Sequence, residues 1–144
     1  MTPEGSAGPL HLLKMAVGVD DIEHLRRLRA ARREERGGSW VYTRNRPRQA
    51  ERVLAGGSIY WVIRGHIRVR QRIVGLRSEC DGDGRRYCLI EVDETLFPTV
   101  ERTCRPFQGW RYLSPADAPP DRGGGGGEAP PEHMLAELRE LGLI

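Results

Sequence analysis

Two spacings of apolar residues alternate along this chain, and each change of spacing marks a predicted element. Leu10 to Val17 (LHLLKMAV) is nearly continuous in apolar residues and reads as a buried first strand. Asp20 then offers an N-cap with Glu23 three residues on, the spacing of a capping box. From there Ile22, Leu25, Leu28 and Ala31 recur at helical intervals as far as Arg36, and Gly37-Gly38 supplies the stop. The rest of that helix is charged, with Glu23 and Arg27 four apart, which fits a solvated face.

Period two returns with Ser39 to Thr43 (SWVYT), a short strand. Arg46-Pro47 opens a second helix with proline near its first position, and Gly56-Gly57 closes it after Ala50, Val53 and Leu54. Ser58 to Ile63 (SIYWVI) is the strongest strand signal, rich in β-branched and aromatic residues. After Gly65-His66, the segment Ile67 to Ile73 alternates: Ile67, Val69, Gln71 and Ile73 point one way, Arg68, Arg70 and Arg72 the other. The turn signal Asp81-Gly82-Asp83-Gly84 predicts that Tyr87 to Val92 returns antiparallel to Ile67 to Ile73. Further strands are expected over Thr99 to Arg105 and Gly109 to Leu113, followed by an extended Pro115 to Asp121. The expected fold class is α+β: a curved or barrel-like antiparallel sheet with two or three helices.

The ends differ in character. Residues 1–9 carry no periodic pattern and read as a flexible N-terminus, with 10–121 as one globular domain. Residues 122–131 form a Gly/Pro-rich linker that includes five consecutive glycines. Residues 132–144 then read as an amphipathic helix with Met134, Leu135, Leu138 and Leu141 on one side. It is too short to be stable alone, so it should dock on something.

Composition narrows the function classes. The chain has 144 residues, 30% of them charged, and a net charge of +3. No apolar run approaches the roughly 20 residues of a membrane span, and no basic, apolar leader opens the chain, so a cytoplasmic location is expected. Three unpaired cysteines and four scattered histidines propose neither a disulfide framework nor a metal site. No GxSxG, HExxH, P-loop or strand-linked GxGxxG motif is present, and no cofactor is expected.

Two segments carry candidate chemistry. Arg68, Arg70 and Arg72, spaced roughly 6.6 Å apart on one strand face and joined by Arg64, would form a basic platform for a phosphate backbone. The structural alternative is the solvated face of a sheet. The second segment, Arg105 to Leu113 (RPFQGWRYL), sets Phe107, Gln108, Trp110, Arg111 and Tyr112 close together, with Trp61 able to join them. Aromatic faces beside amide and guanidinium donors suit a planar base or a heteroaromatic ligand, although the same cluster would also close a core. The favoured function is a non-enzymatic module binding single-stranded RNA or a modified base. The alternatives are a small-molecule enzyme around Gln108 and Arg111, and a protein-interaction module using the C-terminal helix. A homo-oligomer stays open.

The runs GGSIYWVIRG (56–65), RQRIVGL (70–76) and RPFQGWRYLSPADAPPD (105–121) resemble an alphaproteobacterial family known as domain of unknown function 1489. The opening HLLKMAVGVDDIEHL and the closing AELRELGLI resemble its two ends. That resemblance implies no activity. A looser likeness, a short helix leading into an arginine-bearing hairpin, resembles the small PUA, ASCH and EVE barrels, which implies binding of RNA or modified bases.

Overall fold

In SIYWVI an apolar or aromatic side chain stands at every position after Ser58, so both faces of this strand need cover. The computed structural model, which describes residues 9–122, puts this strand near the middle of the sheet. In chain order the elements are β1 (His11–Met15), α1 (Ile22–Arg36), β2 (Trp40–Thr43), α2 (Ala50–Leu54) and β3 (Ser58–Ile63), then β4 (His66–Cys80), β5 (Arg86–Val92), β6 (Phe97–Thr103) and β7 (Trp110–Leu113). The strands run β2-β5-β4-β3-β1-β7, with β6 also on β4. All six residues of β3 are buried.

The sheet is mixed, not wholly antiparallel as expected. β1 lies parallel to β3, with Leu12 opposite Ile59 and Lys14 opposite Trp61. The connection between them carries α1, β2 and α2, long enough for the crossover that a parallel pair needs. β7 then pairs antiparallel to β1, setting Trp110 opposite Lys14.

The expected pairing of Ile67–Ile73 with Tyr87–Val92 needs correction. β4 runs on to Cys80, and its second half, Ile73 to Cys80, pairs with β5. Its first half pairs with β3 and with β6. The DGDG turn does close the β4–β5 hairpin, with the Asp81 carboxylate accepting from the backbone N–H groups of Asp83 and Arg85 at 3.0 Å each. What the alternating pattern hid is that alternation stops at Gly75 while the strand continues, half exposed, beyond it.

Each face has its own core. One gathers Leu12, Ile22, Leu25, Ile59, Trp61 and Ile90, with α1 packed over the sheet. The other gathers Leu13, Tyr60, Val62, Ile67 and Leu113. Ile67, Val69, Gln71 and Ile73 are all buried, but they do not all point one way: a bulge between Ile67 and Val69 sends Ile67 to the core of Tyr60 and Val62, while Val69 and Ile73 join that of Trp61. The cap of α1 moves by one residue: Asp21, not Asp20, accepts from His24 N–H at 2.7 Å. Helix α2 is shorter than the proline suggested, because residues 45–49 are held by β7 instead: Trp110 Nε1–H donates to Asn45 O at 2.8 Å and Gln49 N–H to the Tyr112 hydroxyl at 3.0 Å. The expected C-terminal helix and the terminal segment 1–8 lie outside the described residues.

Candidate functional site

The arginine stripe is largely consumed by the fold. Arg68 donates to Ile63 O at 3.0 Å and pairs with Glu101 at 2.7 Å. Arg70 pairs with Asp121, donates to Ser58 Oγ at 2.9 Å and lies over the Phe97 ring at 4.5 Å. Both are half-buried, which corrects the expectation of an open basic row. Arg72 is exposed on the same strand. Arg64 sits in the β3–β4 turn with φ 50° beside Gly65 at φ 81°, and pairs with Asp20 at 2.7 Å. Two consecutive positive φ values are those of a tight hairpin turn that follows the twist of its strands.

The aromatic block also divides. Phe107 joins the core around Leu13 and Val62, and Arg111 stacks on it at 4.9 Å. Gln108 is exposed. Trp110 packs against the core on the opposite face, edge-on to Tyr112 at 4.9 Å. Successive residues of a strand face opposite sides, so Arg111 cannot share a platform with Trp110 and Tyr112.

What the fold does assemble lies beneath α1. Lys14 has Trp61 opposite it on β3 and Trp110 opposite it on β7. It lines a cleft of about 280 Å³ together with Trp61, Tyr42 and Val41 from the strands. Leu25, Leu28, Arg29 and Arg32 of α1 form its other wall, and Met15, Ala16, the exposed Val17 and Val19 complete the lining. Three cations therefore line an otherwise apolar and aromatic cleft, and no carboxylate is among the lining residues.

The cations differ in freedom. Arg29 is buried and fixed, donating to Trp40 O at 2.8 Å and lying 6.0 Å from the Trp61 ring centroid. Trp61 is held in turn by Gln71, whose Oε1 accepts from the indole N–H at 3.0 Å. Arg32 is exposed at the rim. Lys14 has no hydrogen-bond or ion-pair partner for its ammonium among the described residues, and partial burial pushes its pKa down. A desolvated ammonium without a counter-charge is costly, and an anion placed beside it would relieve that cost.

The sequence reading passed over Lys14, Arg29, Arg32 and Tyr42. One signal was available: Lys14 is the single lysine of the chain and the one charged residue in a strand otherwise fit for burial. The sides of α1 carried no such signal, since arginines occur around most of that helix.

Among the described residues no cluster of three or more His, Cys, Asp or Glu side chains is arranged to hold a metal. No helix among them is long and apolar enough to cross a membrane. Compared with known proteins, residues 12–144 match the model of a family described as protein of unknown function (DUF1489). No curated protein and no solved structure matches the chain.

Proposed function

For a chain that belongs to the DUF1489 family, whose description carries no activity, we propose a non-enzymatic binding module for a nucleobase-bearing anion: a modified nucleotide, or a base of single-stranded RNA. The observation that carries this reading is the placement of Lys14 between Trp61 and Trp110 at a cleft with Arg29 and Arg32 and no lining carboxylate. Apolar and aromatic walls suit the base plane, while Lys14 and Arg32 at the rim suit a phosphate. Trp61, 5% exposed, is floor; Tyr42, 45% exposed, is the more open ring, with the Tyr87 ring at 5.1 Å and the Arg44 guanidinium at 5.8 Å beside it, so a base would add to an existing aromatic stack. At about 280 Å³ the cleft falls just below the range of about 300–1,000 Å³ typical of drug-sized ligands, so it takes one base and not a large cofactor.

The looser likeness to PUA-like barrels fits this reading. The segment after β2, at one end of the strand order, is hydrogen-bonded to β7 at the other end through Asn45 and Gln49, and this supports a curved sheet. The small-molecule reading around Gln108 and Arg111 has less behind it, because neither residue lines the cleft. The interaction reading rests on residues 132–144, outside the described region.

The test is titration of the folded protein with nucleoside monophosphates and the matching nucleosides, followed by calorimetry or NMR at low salt. Saturable binding of at least one monophosphate is expected, weakened about tenfold or more by Lys14→Gln, while the nucleoside is affected little. Tyr42→Ala should weaken both forms, by the roughly 1–3 kcal/mol of a stacked base. Absence of saturable binding across the common and modified bases, with melting curves unchanged, would overturn the reading.

A further inference from the structure

Outside helix α1, one arginine-rich segment was used by the sequence reading only as a helix start: Arg44, Arg46, Arg48 and Arg52, four arginines in nine residues between β2 and the end of α2, as dense as the stripe from Arg64 to Arg72. Two of them are engaged. Arg44 donates to Arg86 O at 3.1 Å and lies 3.7 Å from Asp81, while Arg52 donates to Gln49 Oε1 at 3.1 Å. Arg46 and Arg48 are exposed and have no ion-pair partner among the described residues. They border a shallow recess of about 440 Å³ with Arg52, in which Glu51 is the one carboxylate.

Exposed arginines on a slack loop would carry little meaning, but this loop is braced. Asn45 O accepts from both Trp110 Nε1–H at 2.8 Å and Thr43 Oγ1–H at 3.2 Å. Gln49 N–H is tied to the Tyr112 hydroxyl at 3.0 Å, and Pro47 between the two arginines is fully buried. Arg46 and Arg48 are thus presented from a fixed backbone, which reduces the ordering cost of binding a ligand. The brace also joins the loop to the cleft. Trp110, which holds Asn45, is the residue opposite Lys14, so cleft, tryptophan and arginine loop are successive neighbours.

A lone nucleotide seated in the cleft has no use for cations beyond Trp110; a polymer of phosphates does. We infer that the ligand is a single-stranded oligonucleotide whose backbone leaves the cleft across Trp110 and continues over Arg46 and Arg48. The inference rests on the cleft reading above and names the class of ligand for it. Aromatic side chains beside a braced row of cations are the arrangement that follows an unpaired strand.

The experiment measures the affinity of a labelled six-nucleotide RNA, its DNA counterpart, a duplex and a mononucleotide between 50 and 200 mM salt. The single strand should bind more tightly than the mononucleotide and with a steeper salt dependence. In Arg46→Gln/Arg48→Gln, loss of two phosphate contacts at roughly 0.7 each should flatten the log–log slope by about 1.4, so that affinity falls about sevenfold less across that range. Mononucleotide affinity should not change, nor should the melting temperature. Arg27→Gln, on the exposed face of α1, serves as the charge control and should leave the slope as it is. An unchanged slope in the double variant, equal affinity for oligonucleotide and mononucleotide, or preference for the duplex would each overturn the inference while leaving the cleft reading in place. Failure of every ligand to bind would overturn both.

Discussion

Arg70 grips the Asp121 carboxylate with two parallel hydrogen bonds, Nε to Oδ1 and Nη2 to Oδ2, each at 2.8 Å. The two residues are 51 positions apart. The fork fastens the last described segment to the sheet, where Val100 N–H donates to Pro120 O at 2.9 Å and Arg122 N–H to Pro98 O at 2.8 Å. Planar guanidinium against carboxylate is the strong form of an ion pair, and here it is half sheltered from water.

Asp121→Asn should therefore destabilise the protein by about 1–2 kcal/mol, more than a fully exposed pair would, because it leaves the half-buried Arg70 without its charge partner. A double-mutant cycle with Arg70→Gln, measured by urea denaturation, should return a coupling well above that of the exposed Arg64–Asp20 pair. Equal couplings would mean that the fork contributes only at the surface. Arg68→Gln and Arg70→Gln should lower stability more than they alter any salt-dependent binding.

Gln71 is fully buried and bridges two groups, accepting from Trp61 Nε1–H at 3.0 Å and donating to Asp93 O at 3.0 Å. Gln71→Leu keeps the approximate volume but strips both partners. The expected loss is about 1–3 kcal/mol for each buried group left unsatisfied, less if water enters. Thermal melting reads the loss, and tryptophan fluorescence should shift as the indole loses its acceptor. Full stability in Gln71→Leu would contradict a sealed environment.

Gly57 lies where α2 and the start of β1 meet. A Cβ added there would stand 2.3 Å from Leu10 O and 2.5 Å from Val53 O, both backbone atoms that cannot swing aside. Gly57→Ala is expected to cost at least the roughly 1–3 kcal/mol of core overpacking. Gly82→Ala, in the exposed β4–β5 turn with nothing within 4 Å, is the comparison and should be close to neutral. Similar melting temperatures for the two variants would show that the chain relaxes easily at this junction.

His11 Nδ1 accepts from Ser58 N–H at 3.0 Å, and its ring meets Tyr60 edge-on at 5.0 Å. Burial, helped by the Arg70 charge, pushes its pKa below the ordinary value. The folded state therefore favours the neutral ring. The stabilisation is complete above the unfolded value of about 6.5 and is lost as pH falls through the lower folded value. Denaturation measured from pH 7.5 downward should show stability declining in that window. His11→Asn, which keeps an acceptor without a titrating ring, should flatten the decline. The carboxylates of Asp81 and Asp93, held low by backbone N–H donors, lose their share only at more acid pH.

Much of the fold follows from local pattern. Ser58 to Ile63 is a strand because branched and aromatic residues crowd it, and α1 ends at Gly37 because φ 71° suits glycine. The alternation from Val69 to Ile73 fixes which side chains share a face, since side chains of a regular strand alternate with period two; the bulge that turns Ile67 to the other face left no mark in the pattern. Family membership was legible too, in runs such as FQGWRYL. Partnership was not legible. Whether Ile67 to Ile73 pairs with β3 or β5, whether β1 runs parallel to β3, and whether residues 45–49 continue a helix or lean on β7 are decided by contacts between segments far apart in sequence. The same holds for charge: in sequence the stripe Arg68, Arg70 and Arg72 looks freer than Lys14, because Glu101 and Asp121 are distant. Folding brings those carboxylates onto Arg68 and Arg70, and leaves Lys14 between Trp61 and Trp110 without a counter-charge. Periodicity records which side chains alternate within a regular stretch; only the tertiary structure decides where a bulge breaks it and what each side chain meets.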